Sequence, residues 1–199
     1  MQSLLRRPMS TSANEKLEEL KRQLLNRSRE LNAMEPNQKL RLLDSRRNDM
    51  LRMRKNGIEP LSGNRHLALY HQRGALYQSV SRDGGLTWEP EREICRLDGT
   101  YPCEPAMIRS PDGKQIAALC RENNRVLNSL LLTTDDEGAT WSAPRELPAS
   151  LTGDRHLPRY APDGRIVCPF RDMADGSPTK GDFVAWVGTY DDLANLREG

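Results

Sequence analysis

The stretch Ser81-Arg-Asp-Gly-Gly-Leu-Thr-Trp88 returns 53 residues later as Thr134-Asp-Asp-Glu-Gly-Ala-Thr-Trp141. Both stretches read Ser or Thr, any residue, Asp, any residue, Gly, any residue, Thr, Trp. An aspartate that accepts hydrogen bonds from its own backbone, followed by a glycine with positive φ, closes a tight turn. We expect the threonine to begin a new strand and the tryptophan to fill apolar space beside it. Recurrence at this period predicts a repeat architecture.

A second turn type recurs with nearly the same period. Pro111-Asp-Gly113 and Pro162-Asp-Gly164 lie 51 residues apart, and each is flanked by short runs of β-forming residues. Strands are predicted at 66–71, 76–80, 104–110, 114–120, 129–133, 156–161, 165–170 and 183–188. Each unit therefore reads as a four-stranded antiparallel meander of about 50 residues, which is a propeller blade. The alternative is two unrelated hairpins in an ordinary β domain.

The last unit does not keep the eight-residue turn. Thr189 and Asp191 occupy the expected positions, but Leu193, Asn195 and Leu196 replace the Gly, Thr and Trp. The predicted fold is all-β, a partial propeller of about three blades over residues 58–199.

The N-terminal part of the chain has a different character. Residues 1–56 contain 14 Lys or Arg and 7 Asp or Glu, a net charge of +7, whereas the whole chain carries +2 and the remainder therefore −5. Leucines at 17, 20, 24 and 31 recur at helical spacing, Pro36 interrupts, and a second amphipathic pattern follows. Residues 1–57 are therefore predicted to form a basic two-helix arm, partly disordered. It could bind nucleic acid or anionic lipid, but no aromatic side chains interleave with the basic ones, and we expect neither a nucleic-acid nor a membrane partner.

Several site classes are not supported by the sequence. The four cysteines, Cys95, Cys103, Cys120 and Cys168, form no C-x-x-C pair, so no zinc or other metal site and no cofactor is expected. A Cys95–Cys103 disulfide is conceivable, although reduced buried thiols are the simpler reading. No secretory signal or membrane-length apolar run is visible, so a cytoplasmic location is the default expectation.

The repeated stretches and several of the segments between them resemble those of a known family. The two eight-residue stretches resemble the Asp boxes, or BNR repeats, of sialidases (neuraminidases). The run Glu104-Pro-Ala-Met-Ile-Arg-Ser-Pro-Asp-Gly, together with Thr152-Gly-Asp-Arg-His156 and Phe170-Arg-Asp-Met173, looks like the bacterial sialidase-like branch. The resemblance covers roughly residues 60–199. It implies a six-bladed propeller, of which this chain would supply about half, so we expect either a truncated protein or several chains that complete one ring.

Propeller geometry separates the structural turns from the candidate site. Turns between strands one and two and between strands three and four lie at the same end of a blade, away from the segments that precede strand one and follow strand two. The Asp-box residues are therefore expected to be structural, rather than paired catalytic carboxylates or calcium ligands: Ser81, Asp83, Gly85, Thr87, Trp88, Thr134, Asp136, Gly138, Thr140 and Trp141. The opposite end collects residues 98–104, 121–125, 152–156 and 171–182, which are dense in arginine and carboxylates.

Such clustering is suited to an anionic sugar, because a guanidinium grips a carboxylate through two parallel hydrogen bonds. Arg121 and Arg171 occupy matching positions in consecutive units. The resemblance implies three arginines around the sugar carboxylate, a tyrosine nucleophile helped by a glutamate, and an aspartate as general acid and base. The candidate catalytic residues are Asp154 and Glu104, and the candidate substrate-binding residues are Arg121, Arg155, Arg171 and His156. No tyrosine matches the nucleophile.

The function implied is exo-hydrolysis of terminal sialic acids from glycoconjugates. The alternative is a non-catalytic Asp-box propeller that binds glycans or protein partners. A sialylated or related anionic glycan is the expected partner in either case, with self-association to complete the propeller as a further possibility.

Overall fold

In the computed structural model the chain divides into two units, residues 1–50 and 51–199. The structure describes residues 57–199 and, in the first unit, ten residues between Glu15 and Ala33, all of which are helical. Lys21 and Glu18 form an exposed ion pair one helical turn apart, with Nζ and Oε1 separated by 2.7 Å. Exposed pairs of this kind contribute little to stability. The leucine positions of the predicted arm and its whole second helix lie outside the described residues.

Two complete antiparallel meanders form the first part of the second unit. The first sheet contains β1 (Ile58–Pro60), β2 (His66–Gln72), β3 (Ala75–Ser81) and β4 (Arg92–Cys95) in that order. The second contains β5 (Pro102–Arg109), β6 (Ile116–Glu122), β7 (Leu130–Thr134) and β8 (Arg145–Glu146), again in chain order. Alternating apolar residues and short polar connections give both sheets the predicted order of strands.

The turn after β7 is closed by its own side chains. Asp136 accepts hydrogen bonds from Thr140 Oγ1 at 2.6 Å, Thr140 N at 2.8 Å and Thr134 Oγ1 at 2.8 Å. Gly138 takes a φ of 87° and donates its N–H to Thr134 Oγ1 at 2.9 Å. The hydrogen bonds from Thr140 in particular lower the pKa of Asp136 to about 2. The predicted self-closed turn is what the structure has.

The turn after β3 repeats this arrangement with Ser81 and Asp83. Thr87 Oγ1 donates to Asp83 Oδ2 at 2.6 Å and Gly85 N donates to Ser81 Oγ at 2.8 Å. Hydrogen bonds from Thr87 lower the pKa of Asp83 to about 2.

The fourth strands begin later than predicted. We expected Thr87 and Thr140 to open a strand, but β4 starts at Arg92 and β8 at Arg145. A proline, Pro90 in the first sheet and Pro144 in the second, lies within the intervening segment. Proline has no N–H to donate to a neighbouring strand, so regular pairing resumes beyond it.

The third sheet departs from the simple meander. Its first strand is split into β9 (Gly153–Asp154) and β10 (Arg159–Tyr160), and both pieces pair with β11 (Ile166–Asp172), which pairs with β12 (Phe183–Gly188). Within residues 57–199 no outer strand follows β12.

A short helix, α1 (Tyr190–Ala194), takes the place of that outer strand. Thr189 Oγ1 accepts from Asp192 N at 3.1 Å, while Asp192 Oδ2 accepts from Thr189 N at 2.8 Å. This reciprocal capping box favours a helix start over the Asp-box turn. Leu193 is buried against the second and third sheets.

The sheets pack face to face in chain order. Between the first two lie Leu67, Leu69 and Leu76 on one side and Ile116, Ala118 and Cys120 on the other. Trp141, from the turn of the second sheet, packs into this core and donates Nε1–H to Gln78 Oε1 of β3 at 2.6 Å. Between the second and third sheets a larger core forms, from Ile108, Ala117, Leu119, Leu131, Leu147, Leu151, Ile166, Cys168, Phe170, Trp186 and Leu193.

Three stacked four-stranded sheets with few helices are consistent with a partial propeller-like fold. The four cysteines are free and buried. Among the described residues, no helix has both the length and the apolar character that crossing a membrane requires.

Candidate functional site

The first strands of the second and third sheets are interrupted at equivalent places. In β5 the pairing register shifts between Cys103 and Ala106, and Glu104 takes a φ of 49°. In the third sheet β9 ends at Asp154, and Arg155 takes a φ of 58°. A positive φ strains residues other than glycine, and such strain and such bulges concentrate at functional sites. Both interruptions lie at the end of the sheets opposite to the Asp136 turn.

The two interruptions meet each other. Glu104 Oε2 accepts the backbone N–H of Arg155 at 3.2 Å, and Glu104 Oε1 lies 3.9 Å from Arg155 Nε. Arg121, near the end of β6, places Nη1 3.4 Å from Glu104 Oε1 and Nε 3.1 Å from Asp154 Oδ1. Arg125 Nη2 also donates to Asp154 Oδ1. Three guanidinium groups thus surround two carboxylates.

This group, which we call the arginine cluster, consists of Glu104, Arg121, Arg125, Asp154 and Arg155. Asp154 is 7% exposed, and the side chains of Arg121 and Arg125 are about a quarter exposed, at 23% and 29%. The cations outnumber the carboxylates by one, so the cluster has an excess positive charge. A carboxylate ligand could therefore accept hydrogen bonds from guanidinium groups that are already oriented at the surface.

Arg171, the counterpart of Arg121 in the third sheet, has a different environment. It pairs in register with Asp154 across β9 and β11 and with Phe183 across β11 and β12. Its side chain is exposed and, among the described residues, makes no hydrogen bond or ion pair. The structure therefore places Arg171 beside the arginine cluster but not within its ion pairs.

His156 lies beneath the surface. It is 1% exposed, its ring stacks on Phe170 with centroids 5.3 Å apart, and Nε2 donates to Leu151 O at 3.0 Å. Its Nδ1 is buried and has no hydrogen-bond partner among the residues that the structure describes. Burial lowers the pKa of His156 to about 4, against the hydrogen bond to Leu151, which acts to raise it.

Two buried carboxylates that directly follow Arg121 and Arg171 have a part in the site that was not predicted from the sequence. Glu122 accepts hydrogen bonds from the backbone N–H groups of Tyr101 and Asn124. Asp172 accepts hydrogen bonds from Ala174 N at 2.9 Å and from Thr179 Oγ1 at 2.7 Å. Burial alone would raise the pKa of each carboxyl group, but the donated hydrogen bonds lower both pKa values overall. The signal available in the sequence was the repetition of Arg followed by an acid, as Arg121-Glu122 and Arg171-Asp172.

Two hollows share Asp175 in their linings, and the smaller of the two is also lined by Arg125 of the arginine cluster. One, of about 170 Å³, separates the loop that carries Arg125 from the loop that carries Lys180, with Glu146 and Thr152 between them. The other, of about 420 Å³, has an apolar floor that includes Phe170 and Val184 and a polar edge that includes Asp172 and Ser177. The larger falls within the size range of small-molecule sites in proteins.

The aspartate of the turn after β7 lies far from the arginine cluster. Thr134, which opens one turn, pairs with Ile116 at the start of β6, whereas Arg121 is five residues further along the same strand. At a rise of about 3.3 Å per residue the separation is about 16 Å. In the part of the chain that the structure describes, no group of three or more His, Cys, Asp or Glu is arranged to hold a metal ion.

No protein-family model matches the chain, and no curated protein matches it. Solved structures do match. A protein of unknown function from Dyadobacter fermentans DSM 18053 is 17% identical, with a TM-score of 0.52 over 67% of this chain and 37% of that one. The leech intramolecular trans-sialidase in complex with 2,7-anhydro-Neu5Ac is 22% identical, with a TM-score of 0.51 over 66% of this chain and 20% of that one.

A weaker match is NanB with Optactamide, 18% identical, with a TM-score of 0.48 over 69% of this chain and 21% of that one. This chain spans from about a fifth to somewhat more than a third of the length of these proteins. At such low identity the likeness concerns the fold alone. Residues 57–199 are therefore built mainly of β-sheets, consistent with a partial propeller-like fold similar to that of solved proteins that include a leech trans-sialidase.

Proposed function

We propose that this chain carries part of the binding site of a sialidase-like glycoside hydrolase, which removes terminal sialic acids from glycoconjugates. The observation that supports this most is the convergence of Arg121, Arg125 and Arg155 on two carboxylates at one end of the sheets. A site with more guanidinium groups than carboxylates favours an anionic ligand. Sialic acid differs from neutral sugars by a carboxylate on the anomeric carbon, and this is the group that the arginines would hold.

In the proposed complex Arg121 is the central contact. Its guanidinium already lies within 3.4 Å of carboxylate oxygens from two different strands, so it is oriented before any ligand arrives. In the proposal Arg171, which is exposed and pairs in register with Asp154, lies at the edge of the same site. Binding would replace some of the internal ion pairs with pairs to the sugar carboxylate, so the affinity should fall as salt concentration rises.

Asp154 and Glu104 are the proposed catalytic carboxylates. Glycosidic cleavage needs a proton delivered to the leaving oxygen and a nucleophile at the anomeric carbon. In the proposal Asp154 or Glu104 supplies the acid and base function, and no tyrosine of this chain is assigned as the nucleophile. Because the chain spans only part of the matched structures, hydrolysis is proposed for the complete site.

Ligand titration of the purified chain tests the binding half of the proposal. N-acetylneuraminic acid should bind the wild type, and Arg121→Ala should weaken binding at least tenfold, which is about 1.4 kcal/mol. The matched control is Arg165→Ala, which removes an exposed arginine whose Nη2 lies 2.7 Å from Asp163 on a distant turn. Equal affinities for the two variants would refute the assignment.

Hydrolysis of a fluorogenic sialoside tests the enzymatic half. Turnover that is lost in both Arg121→Ala and Arg171→Ala would support the proposed site. Turnover that both variants retain would place the reaction elsewhere, and binding without turnover by the wild type would assign this chain a binding role only.

We also propose that copies of this chain associate through the open faces of the first and third sheets. On the third sheet, Val167, Pro169, Phe183, Ala185 and Val187 face away from the second sheet, and Phe183 is 76% exposed. The corresponding face of the second sheet is covered by the third. A concentration-dependent molar mass by light scattering would support association, and a constant monomeric mass would exclude it.

A further inference from the structure

Glu122 is the least accessible carboxylate near the arginine cluster. It is fully buried, at 0% exposed, and among the residues that the structure describes no cation is within ion-pair distance. Its partners are backbone N–H groups instead. Tyr101 N and Asn124 N donate to Oε1 at 2.7 and 2.9 Å, and Val126 N donates to Oε2 at 2.9 Å.

These donors bracket one residue of the arginine cluster. Asn124 and Val126 are the immediate neighbours of Arg125, and each is fixed to a different oxygen of Glu122. Arg125 itself takes a φ of 60°, in the left-handed region that residues other than glycine avoid. The two hydrogen bonds hold the backbone on both sides of this strained residue.

The conformation of Arg125 has a consequence for the next sheet. Its guanidinium extends to Asp154 on β9 of the third sheet, and Arg121 approaches the same oxygen from β6. The same Glu122 also fixes Tyr101, three residues before Glu104. One buried carboxylate thus anchors two of the three segments that deliver side chains to the arginine cluster.

We infer that Glu122 is a positioning residue that holds Arg125 against Asp154 and so sets the geometry of the arginine cluster. It does so through backbone amides rather than through contact with ligand. The inference concerns the site of the proposed function but rests on the internal contacts, so it can be tested without any ligand.

The test is a double-mutant cycle between Arg125→Ala and Asp154→Ala, measured by urea unfolding in the wild type and in Glu122→Gln. Glutamine keeps the size of the side chain but turns one acceptor into a donor that faces the backbone N–H groups. In the wild type the pair should be coupled by about fivefold or more in the unfolding equilibrium constant. In Glu122→Gln the coupling should fall to near onefold.

Glu137→Gln is the matched control. Glu137 also accepts a backbone N–H, from Ser62 at 2.8 Å, and pairs with Arg65, but it lies on the turn after β7. It should lower stability and leave the Arg125–Asp154 coupling intact. If Glu122→Gln does not fold, Glu122→Asp serves in its place, because it retains the charge while withdrawing the carboxylate by one methylene, and it should also reduce the coupling.

Coupling that persists unchanged in Glu122→Gln or Glu122→Asp would overturn the inference, because Glu122 would then act only on overall stability. Titration with N-acetylneuraminic acid gives a second readout, with affinity expected to fall about tenfold in Glu122→Gln and to stay constant in Glu137→Gln. If no variant and no wild type binds this sugar while the coupling is lost as expected, the proposed function fails and the positioning role stands.

Discussion

His156 should make the stability of this protein sensitive to mild acid. The buried ring stays neutral in the folded chain, with a pKa lowered from 6.5 to about 4. The unfolded chain therefore binds a proton between these two values while the folded chain does not. Stability contributed by the neutral ring is complete above about pH 6.5 and is lost as the pH falls toward about 4.

The magnitude follows from the two pKa values. Each pH unit between them is worth about 1.4 kcal/mol, so the full effect is about 3 kcal/mol. Between about pH 7 and about pH 4.5 the wild type should lose about 2 kcal/mol through this residue alone. Carboxylates with lowered pKa values, such as Asp136, titrate in a more acidic range and contribute little within this window.

The perturbation is His156→Phe, which retains a ring to stack on Phe170 but cannot titrate. At neutral pH the variant should be less stable by about 1 kcal/mol, because Leu151 O loses its hydrogen bond. As the pH falls the two stabilities should converge. His71→Phe, at an exposed histidine, is the control and should retain the pH dependence of the wild type.

Urea unfolding followed by circular dichroism, at several pH values, measures the effect. Stabilities of wild type and His156→Phe that fall in parallel between about pH 7 and about pH 4.5 would refute the reasoning, because titration of another group would then dominate.

Three further predictions concern the turns and the sheet faces. Asp136→Ala should lower the free energy of unfolding by about 2 kcal/mol. Three hydrogen-bond donors lose their acceptor at about 1 kcal/mol each, and relaxation of the turn recovers part of this loss. A variant that loses ligand binding without losing stability would contradict this prediction. Trp141→Phe should destabilise the protein by about 1–3 kcal/mol, more than Trp88→Phe, because Trp141 packs into the core and donates to Gln78 whereas Trp88 is 37% exposed; equal effects in denaturant unfolding would contradict this. Phe183→Glu should abolish any self-association seen by light scattering, whereas Leu86→Glu, at a residue that is 80% exposed, should leave it unchanged.

The first two sheets could be predicted because the residues that specify each of their turns and strands are close together in the sequence. An aspartate and a glycine inside one turn specify the reversal between β7 and β8, and alternating apolar residues specify the strands on either side. The structure has these strands within one or two residues of the predicted bounds at 66–72, 75–81, 116–122 and 130–134. A meander pairs each strand with the one before it, so no distant partner had to be found.

The third sheet was predicted less well, for two physical reasons. The capping box of Thr189 and Asp192 stabilises a helix, whereas we had interpreted Thr189 and Asp191 as remnants of an Asp-box turn. The break in the first strand at Arg155 depends on Glu104 of the neighbouring sheet, which accepts the Arg155 N–H. No local pattern encodes a contact between residues 51 positions apart.

For the site, the spacing of the units predicts that Arg121, Asp154 and Glu104 lie at one end of the sheets, and in the structure these three side chains are close to one another. The burial of His156 was not predictable, because it depends on Phe170 and Leu151 closing around the ring. The repeated Arg-acid pair marks the position of Glu122, but it does not indicate that this carboxylate accepts three backbone N–H groups, because those partners are set by the folded loops.

The hydrogen bond from Trp141 to Gln78 has a consequence for synthesis of the chain. The turn between β7 and β8 contacts the sheet that precedes it in the chain, so the second sheet docks on a sheet that has already been made. We expect folding on the ribosome to advance one sheet at a time, with docking of the second sheet completed when Trp141 has left the exit tunnel. Ribosome-bound chains long enough for Trp141 to have left the tunnel should resist proteolysis in the first sheet better than shorter chains. The order in which the sheets are translated would then also be the order in which they become stable.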